Sequence, residues 1–145
     1  MSTVRVEFHP ETFETLFTET LQVYPGLAQA LLEDFRLYKQ TDKLPAYFGR
    51  DAPYVQPVAA FNARLMHIHL RFPPEQFPKH LPQIDRVCRK GAPDKDAALV
   101  YVRGWLDEDR YCLLGVLHPD AHAKARGEKI MRYLARLAQK FRDDN

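Results

Sequence analysis

The sequence predicts an α+β fold: one small antiparallel sheet with an N-terminal helical hairpin and a C-terminal helix packed on one face. Three observations predict it. Short segments alternate apolar and polar residues, longer ones repeat apolar residues at helical spacing, and the prolines crowd into one middle region. The resulting order is β-α-α-β-β-β-α with long proline-rich loops, expected as one domain over residues 1–145.

Val4-Arg5-Val6-Glu7-Phe8 has the two-residue period of a strand. Pro10 suits a first helical turn, and Phe13, Leu16, Phe17, Leu21 and Tyr24 then fall on one helical face. Pro25-Gly26 interrupts, and a second helix carries Leu27, Leu31, Phe35 and Tyr38 on its buried side. Eight of the eleven prolines lie between Leu44 and Pro93, too many for regular structure throughout. That region is rich in apolar and aromatic residues, so it reads as ordered loops with one strand, Leu65 to Phe72. Two further strands, Ala97 to Arg103 and Arg110 to Leu117, flank a six-residue hairpin loop. A long helix follows from Asp120, a good N-cap, to Arg142, with Gly127 as the point where it bends or restarts.

With 46% hydrophobic and 28% charged residues, the chain has enough apolar matter for a core of its own. No run of about 18 apolar residues marks a transmembrane helix, and Met1 to Pro10 lacks a signal peptide's apolar stretch, so the expected location is the cytoplasm. Cys88 and Cys112 have no spaced partners, which argues against a disulfide framework or a four-cysteine zinc site. The net charge of +2 averages two unlike parts. Residues 1–60 hold five Lys/Arg against eight Asp/Glu; residues 61–145 hold sixteen against eleven. A basic second half is compatible with a polyanionic partner.

Three constellations carry possible chemistry. On the C-terminal helix, His122, Arg126, Lys129, Tyr133, Arg136 and Lys140 fall within a sector of roughly 80°, with Ile130, Leu134, Leu137 and Phe141 on a neighbouring one. Such a strip is either a solvated face or a phosphate-tracking one; Glu128 as the lone acid between Lys124 and Arg142 favours the latter. On the strand after Leu65, His67 and His69 share one face while Met66, Ile68 and Leu70 take the other. The pair suits proton transfer, or metal binding with a further ligand from His118, His122 or Asp51, or no role at all. In the loop, Arg50-Asp51 after Gly49 is either a structural ion pair or a guanidinium presented to phosphate. On the hairpin, Tyr101 and Arg103 share one strand face, as do Tyr111 and Leu113.

Read together, Leu44-Pro45 with Phe48-Gly49-Arg50-Asp51 and Tyr54, then His67-Ile68-His69-Leu70, then His122 with Ala125-Arg126, resemble the YafO family of bacterial type II toxins. The resemblance runs from about Leu31 to Arg142. It implies a RelE/ParE-like core and a ribosome-dependent mRNA interferase that works without metal or cofactor, the ribose 2′-OH attacking the adjacent phosphate. It also implies a cognate antitoxin, whose acidic segment would cover the basic surface or whose apolar residues would fill a cleft between helices. Under this reading His67 or His69 and His122 share base and acid duties, Arg50 and Arg126 stabilise the phosphorane, and Asp51 orients an arginine or imidazole. Tyr101 or Tyr111 stacks a base or donates a proton, and Arg103, Lys129, Tyr133, Arg136 and Lys140 hold the RNA backbone. Two other functions fit the same residues: a non-cleaving RNA or ribosome binder, and a histidine-ligated metal hydrolase.

Overall fold

The computed structural model describes residues 2–145. Its centre is a five-stranded mixed sheet in the order β1-β5-β4-β3-β2, built from β1 (Arg5–Phe8), β2 (Phe48–Pro53), β3 (Met66–Leu70), β4 (Ala97–Arg103) and β5 (Arg110–Leu117). Neighbouring strands from β2 to β5 are antiparallel, but β1 runs parallel to β5, pairing Arg5 with Arg110 and Phe8 with Leu113. The expected purely antiparallel sheet is therefore corrected. The chain leaves β1, crosses one face through α1 (Leu27–Thr41) to the far edge, and returns strand by strand until β5 closes against β1.

Helices cover both faces, not one. Against one face α1 buries Leu27, Leu31 and Phe35 on Leu99, Tyr101 and Leu113. Against the other, α4 (Glu128–Asp144) buries Met131, Leu134 and Phe141 on Val100, Val102 and Leu114, together with α2 (Val58–Asn62) and α3 (Ala121–Ala125). The reason lies in the central strands: β4 is buried at every position from Ala97 to Val102, and β5 from Tyr111 to Leu117. An antiparallel strand with one wet face would alternate; a strand apolar on both sides needs a layer on each.

The helical hairpin forms only by half. Its second arm is α1, as expected, while the first is a π-helical turn at Glu14–Thr18 among irregular turns. Threonines at 12, 15, 18 and 20 are weak helix formers. Thr12 also turns away to donate its hydroxyl to the Leu114 carbonyl at 2.5 Å. Phe8, Phe13 and Phe17 pack ring on ring, with both of the latter within 6.0 Å of each other and Phe8 4.8 Å from each. The segment thus still buries Phe17 and Leu21. The middle region holds more order than its prolines suggest. It contains β2, α2 and β3, and irregular chain carrying two single 3₁₀ turns runs from there to β4. Proline is tolerated because β2 is an edge strand and ends on Pro53. At Gly49 a Cβ would lie 2.3 Å from the Arg86 carbonyl oxygen, so only glycine lets the loop's return segment approach β2 this closely.

Candidate active site

Strand pairing builds the site. Antiparallel register sets His67 beside Val100 and His69 beside Ala98, all on the face covered by α3 and α4. The chain then leaves β5 at His118-Pro119, and Asp120 caps α3 by accepting from the Ala123 amide at 3.4 Å. That places His122 over the end of β3. Ring centroids of His67 and His69 lie 5.5 Å apart and those of His69 and His122 5.7 Å, so the three imidazoles form a row. Tyr54 stacks on His67 at 4.0 Å with an interplanar angle of 11°. A cavity of about 40 Å³, the size of a water molecule, is lined by these rings, Asp96 and the small side chains of Ala98, Ala121 and Ala125.

Asp96, buried at the entrance to β4, organises one end of the row. Its Oδ2 accepts from the His122 amide at 2.9 Å and from His122 Nδ1 at 2.8 Å. This bond puts a proton on Nδ1 and leaves Nε2 as the atom through which His122 exchanges protons. His69 is fixed differently: its Nδ1 accepts from the Cys88 amide at 3.0 Å, so the neutral ring carries its proton on Nε2 and can only donate there. The buried atoms His67 Nδ1 and Asp96 Oδ1 have no partner within the protein. Buried polar atoms are ordinarily paired, and the water-sized cavity that both residues line has room for one small partner.

Burial holds both strand histidines neutral. The pKa of His67 is pushed down to about 4 by burial first and by His69 next. That of His69 is pushed down to about 4 by burial, then by His122, with the Arg50 charge acting in the same direction. Between pH 6.5 and about 4 the unfolded chain therefore binds protons that the folded one refuses. The stability these groups contribute is complete above pH 6.5, declines as pH falls, and is flat below about 4. The slope approaches about 1.4 kcal/mol per pH unit for each ring. Urea unfolding at pH 7 and pH 5 measures it: His67→Phe, which keeps the stack on Tyr54, should show a clearly smaller loss than the natural chain. An unchanged loss would mean that His67 is not held neutral.

The other proposed residues divide by face. Arg50 is exposed on β2, with its amide donating to the Arg86 carbonyl at 2.8 Å, and its charge reaches His69. Arg126 caps the C-terminus of α3, one turn after His122. Asp51 points the other way, a correction to its expected role beside an arginine or imidazole. It accepts from Tyr101 at 2.6 Å, Tyr38 at 2.8 Å and Lys39 at 3.0 Å, beneath α1. Tyr101 and Tyr111 are only 2% and 6% exposed and pack edge-on against Phe35, so neither ring is free to sandwich a base within the strand face. Arg103 pairs with Glu108 at 3.4 Å. His118 lies away from the row, packed on Phe72, with Nε2 3.1 Å from the Asp94 carbonyl oxygen.

Residues 36–143 match the family described as toxin YafO of a type II toxin–antitoxin system. The chain belongs to the YafO family. It is 36% identical over 126 residues to the mRNA interferase toxin YafO of Escherichia coli strain K12, covering 84% of this chain and 90% of that protein. No solved structure matches it. In this YafO-family toxin the basic strip is shorter than its periodicity suggests. The helix restarts at Gly127, so His122 and Arg126 belong to α3, while Lys129, Arg136 and Lys140 stand exposed on α4 with Tyr133 half-buried. Arg136 lies over the Tyr133 ring at 5.3 Å, and Lys140 pairs with Asp144 at 3.2 Å. Sequence reading missed Asp96 altogether. Its one signal is an acid set directly before a strand apolar on both faces, where only a paired carboxylate is tolerated.

Proposed function

We propose that this YafO-family toxin is an mRNA interferase, an endoribonuclease whose active centre is the row of His67, His69 and His122 backed by Asp96. The observation that carries this is the order of the rings, with His69 neighbouring both His67 and His122. In-line transfer needs a base for the 2′-OH on one side of the phosphorus, charge stabilisation in the middle, and an acid for the 5′-oxygen on the other. His67, held neutral by burial, takes the 2′-OH proton. The 2′-oxygen bonds to phosphorus and the P–O5′ bond breaks. His69 Nε2–H, Arg50 and Arg126 stabilise the phosphorane, and His122, held at Nδ1 by Asp96, gives the Nε2 proton to the departing 5′-oxygen. The products are a 2′,3′-cyclic phosphate and a 5′-hydroxyl. No metal takes part in this scheme. Among the described residues no group of three or more His, Cys, Asp or Glu side chains takes a metal-holding arrangement.

The substrate is messenger RNA on translating ribosomes in the cytoplasm, and a cognate antitoxin restrains the enzyme by covering the exposed basic side chains of α4. No helix among the described residues is long and apolar enough to cross a membrane. The sheet order, with β1 closing on the last strand, supports kinship with the RelE/ParE group. Mapping messenger 5′ ends after induced expression tests the whole reading. New ends should appear, carry 5′-hydroxyls, and vanish when initiation is blocked. Growth arrest without new ends would identify a non-cleaving ribosome binder instead.

A further inference from the structure

We propose that a second cleft, at the β4–β5 hairpin end of the sheet, is a subsite for one unpaired nucleotide of the RNA, its base against Trp105 and its phosphates on Arg64 and Arg142. This rests on the ribonuclease reading for the identity of its ligand alone. The cleft has a volume of about 470 Å³ and is lined by Met66, Tyr111, Arg64, Arg103, Trp105 and Arg142 among others. It is distinct from the histidine row, because Tyr111 and Met66 belong to the face under α1 and the imidazoles to the opposite one.

Trp105 is 62% exposed, although it sits in a rigidly held turn. The amides of Leu106 and Asp107 donate to the Asn145 carbonyl oxygen at 3.0 and 2.7 Å, and Arg142 donates to the Arg103 carbonyl at 3.3 Å, tying the hairpin to the end of α4. The Arg142 guanidinium stands 5.0 Å from the centre of the Trp105 ring. An indole with a guanidinium over one part of its ring and most of its surface still exposed is a stacking platform that accepts any base. The charge in the cleft is uneven. Lys39 is spent on Asp51 and Arg103 on Glu108, whereas Arg64 faces Arg142 across the cleft and opposes its charge, with Asp143 the acid that offsets it. Arg64 is set by the end of α2, where it takes a left-handed backbone, φ 59°, as the Leu65 amide donates back to the Ala60 carbonyl at 3.0 Å. An acidic peptide is the poorer fit. β4 and β5 are both interior strands, so the cleft offers no strand edge for a peptide backbone to pair with.

The chain has a single tryptophan, so its fluorescence reports this cleft directly. A 2′-O-methyl hexaribonucleotide, which cannot be cut by 2′-OH attack, is titrated into the natural chain and into Arg64→Gln and Arg142→Gln variants. Saturable quenching is expected, weakened about tenfold by either arginine change, with the salt dependence reduced by about one phosphate contact in each. Absent quenching, or quenching indifferent to Arg64 and Arg142, overturns the subsite. Equal quenching by a poly-glutamate peptide overturns it in favour of an acidic polypeptide surface. Lack of quenching while the natural toxin still cuts messenger sinks only the subsite. Quenching without any cutting sinks only the ribonuclease reading.

Discussion

Asp96→Asn should lower turnover by about two to four orders of magnitude while the chain remains folded. General acid catalysis by a positioned histidine is worth that much, and the carboxylate is what positions the His122 ring. Asparagine keeps the volume, and its oxygen can still accept from the His122 amide, so the start of α3 survives. What goes is the negative charge behind Nδ1. The amide's NH₂ can also donate to that nitrogen and force the ring into the other tautomer, an inversion that disables catalytic triads in the same way. Cleavage of a ribosome-bound messenger is the assay, with circular dichroism as the check on folding. A variant that keeps more than a tenth of natural turnover would remove Asp96 and His122 from the proton-transfer scheme.

Asp51→Ala should do the reverse: destabilise strongly and leave the chemistry of the folded fraction nearly intact. Asp51 and Lys39 side chains are 12% and 20% exposed, and the carboxylate is the common acceptor for Lys39, Tyr38 and Tyr101. Removing it leaves the half-buried Lys39 ammonium without its counter-charge and the Tyr38 and Tyr101 hydroxyls without their acceptor. Breaking one partner out of such a pair costs about 3–5 kcal/mol, which for a domain of this size lowers the melting temperature by roughly 10 °C. Burial first, and then the Asp51 charge, raises the pKa of the Tyr101 hydroxyl well above its ordinary value, so it stays a donor across the working pH range. Thermal unfolding and single-turnover cleavage below the transition separate the two effects. A stable but inactive Asp51→Ala protein would return Asp51 to the catalytic group.

The two aspartates show how far the sequence reads and where it stops. Asp51 stands in a motif with Arg50, and adjacency in sequence suggests one shared site. On a strand, adjacent residues face opposite ways, so Arg50 looks toward the histidines and Asp51 toward α1. Recognising this requires knowing that the segment is a strand, and its glycine, prolines and bulge between Phe48 and Asp51 conceal that. Asp96 has no motif about it. It meets His122 across 26 positions of chain, a contact made by the turn that brings α3 over β3 and invisible to any local pattern.

Local pattern is sufficient for β1, α1 and β3, whose buried faces recur at strand or helical spacing, for β4 and β5, which are continuous apolar runs, and for the restart at Gly127, where glycine weakens the helix. The same two-residue period put His67 and His69 on one face before any contact was known. The motifs around Arg50, His67 and His122 were enough to point to the family that residues 36–143 match. Tertiary structure alone decided which edge β1 joins, that helices lie on both faces, and that His122 completes the row begun by the strand histidines. It also decided that Trp105, in a hairpin loop, meets Arg142 from the last helix. The division has one physical cause. A residue's own element is set by its neighbours in sequence, but its partners across the sheet are set by how whole elements bury their apolar faces, and only the packed chain fixes that.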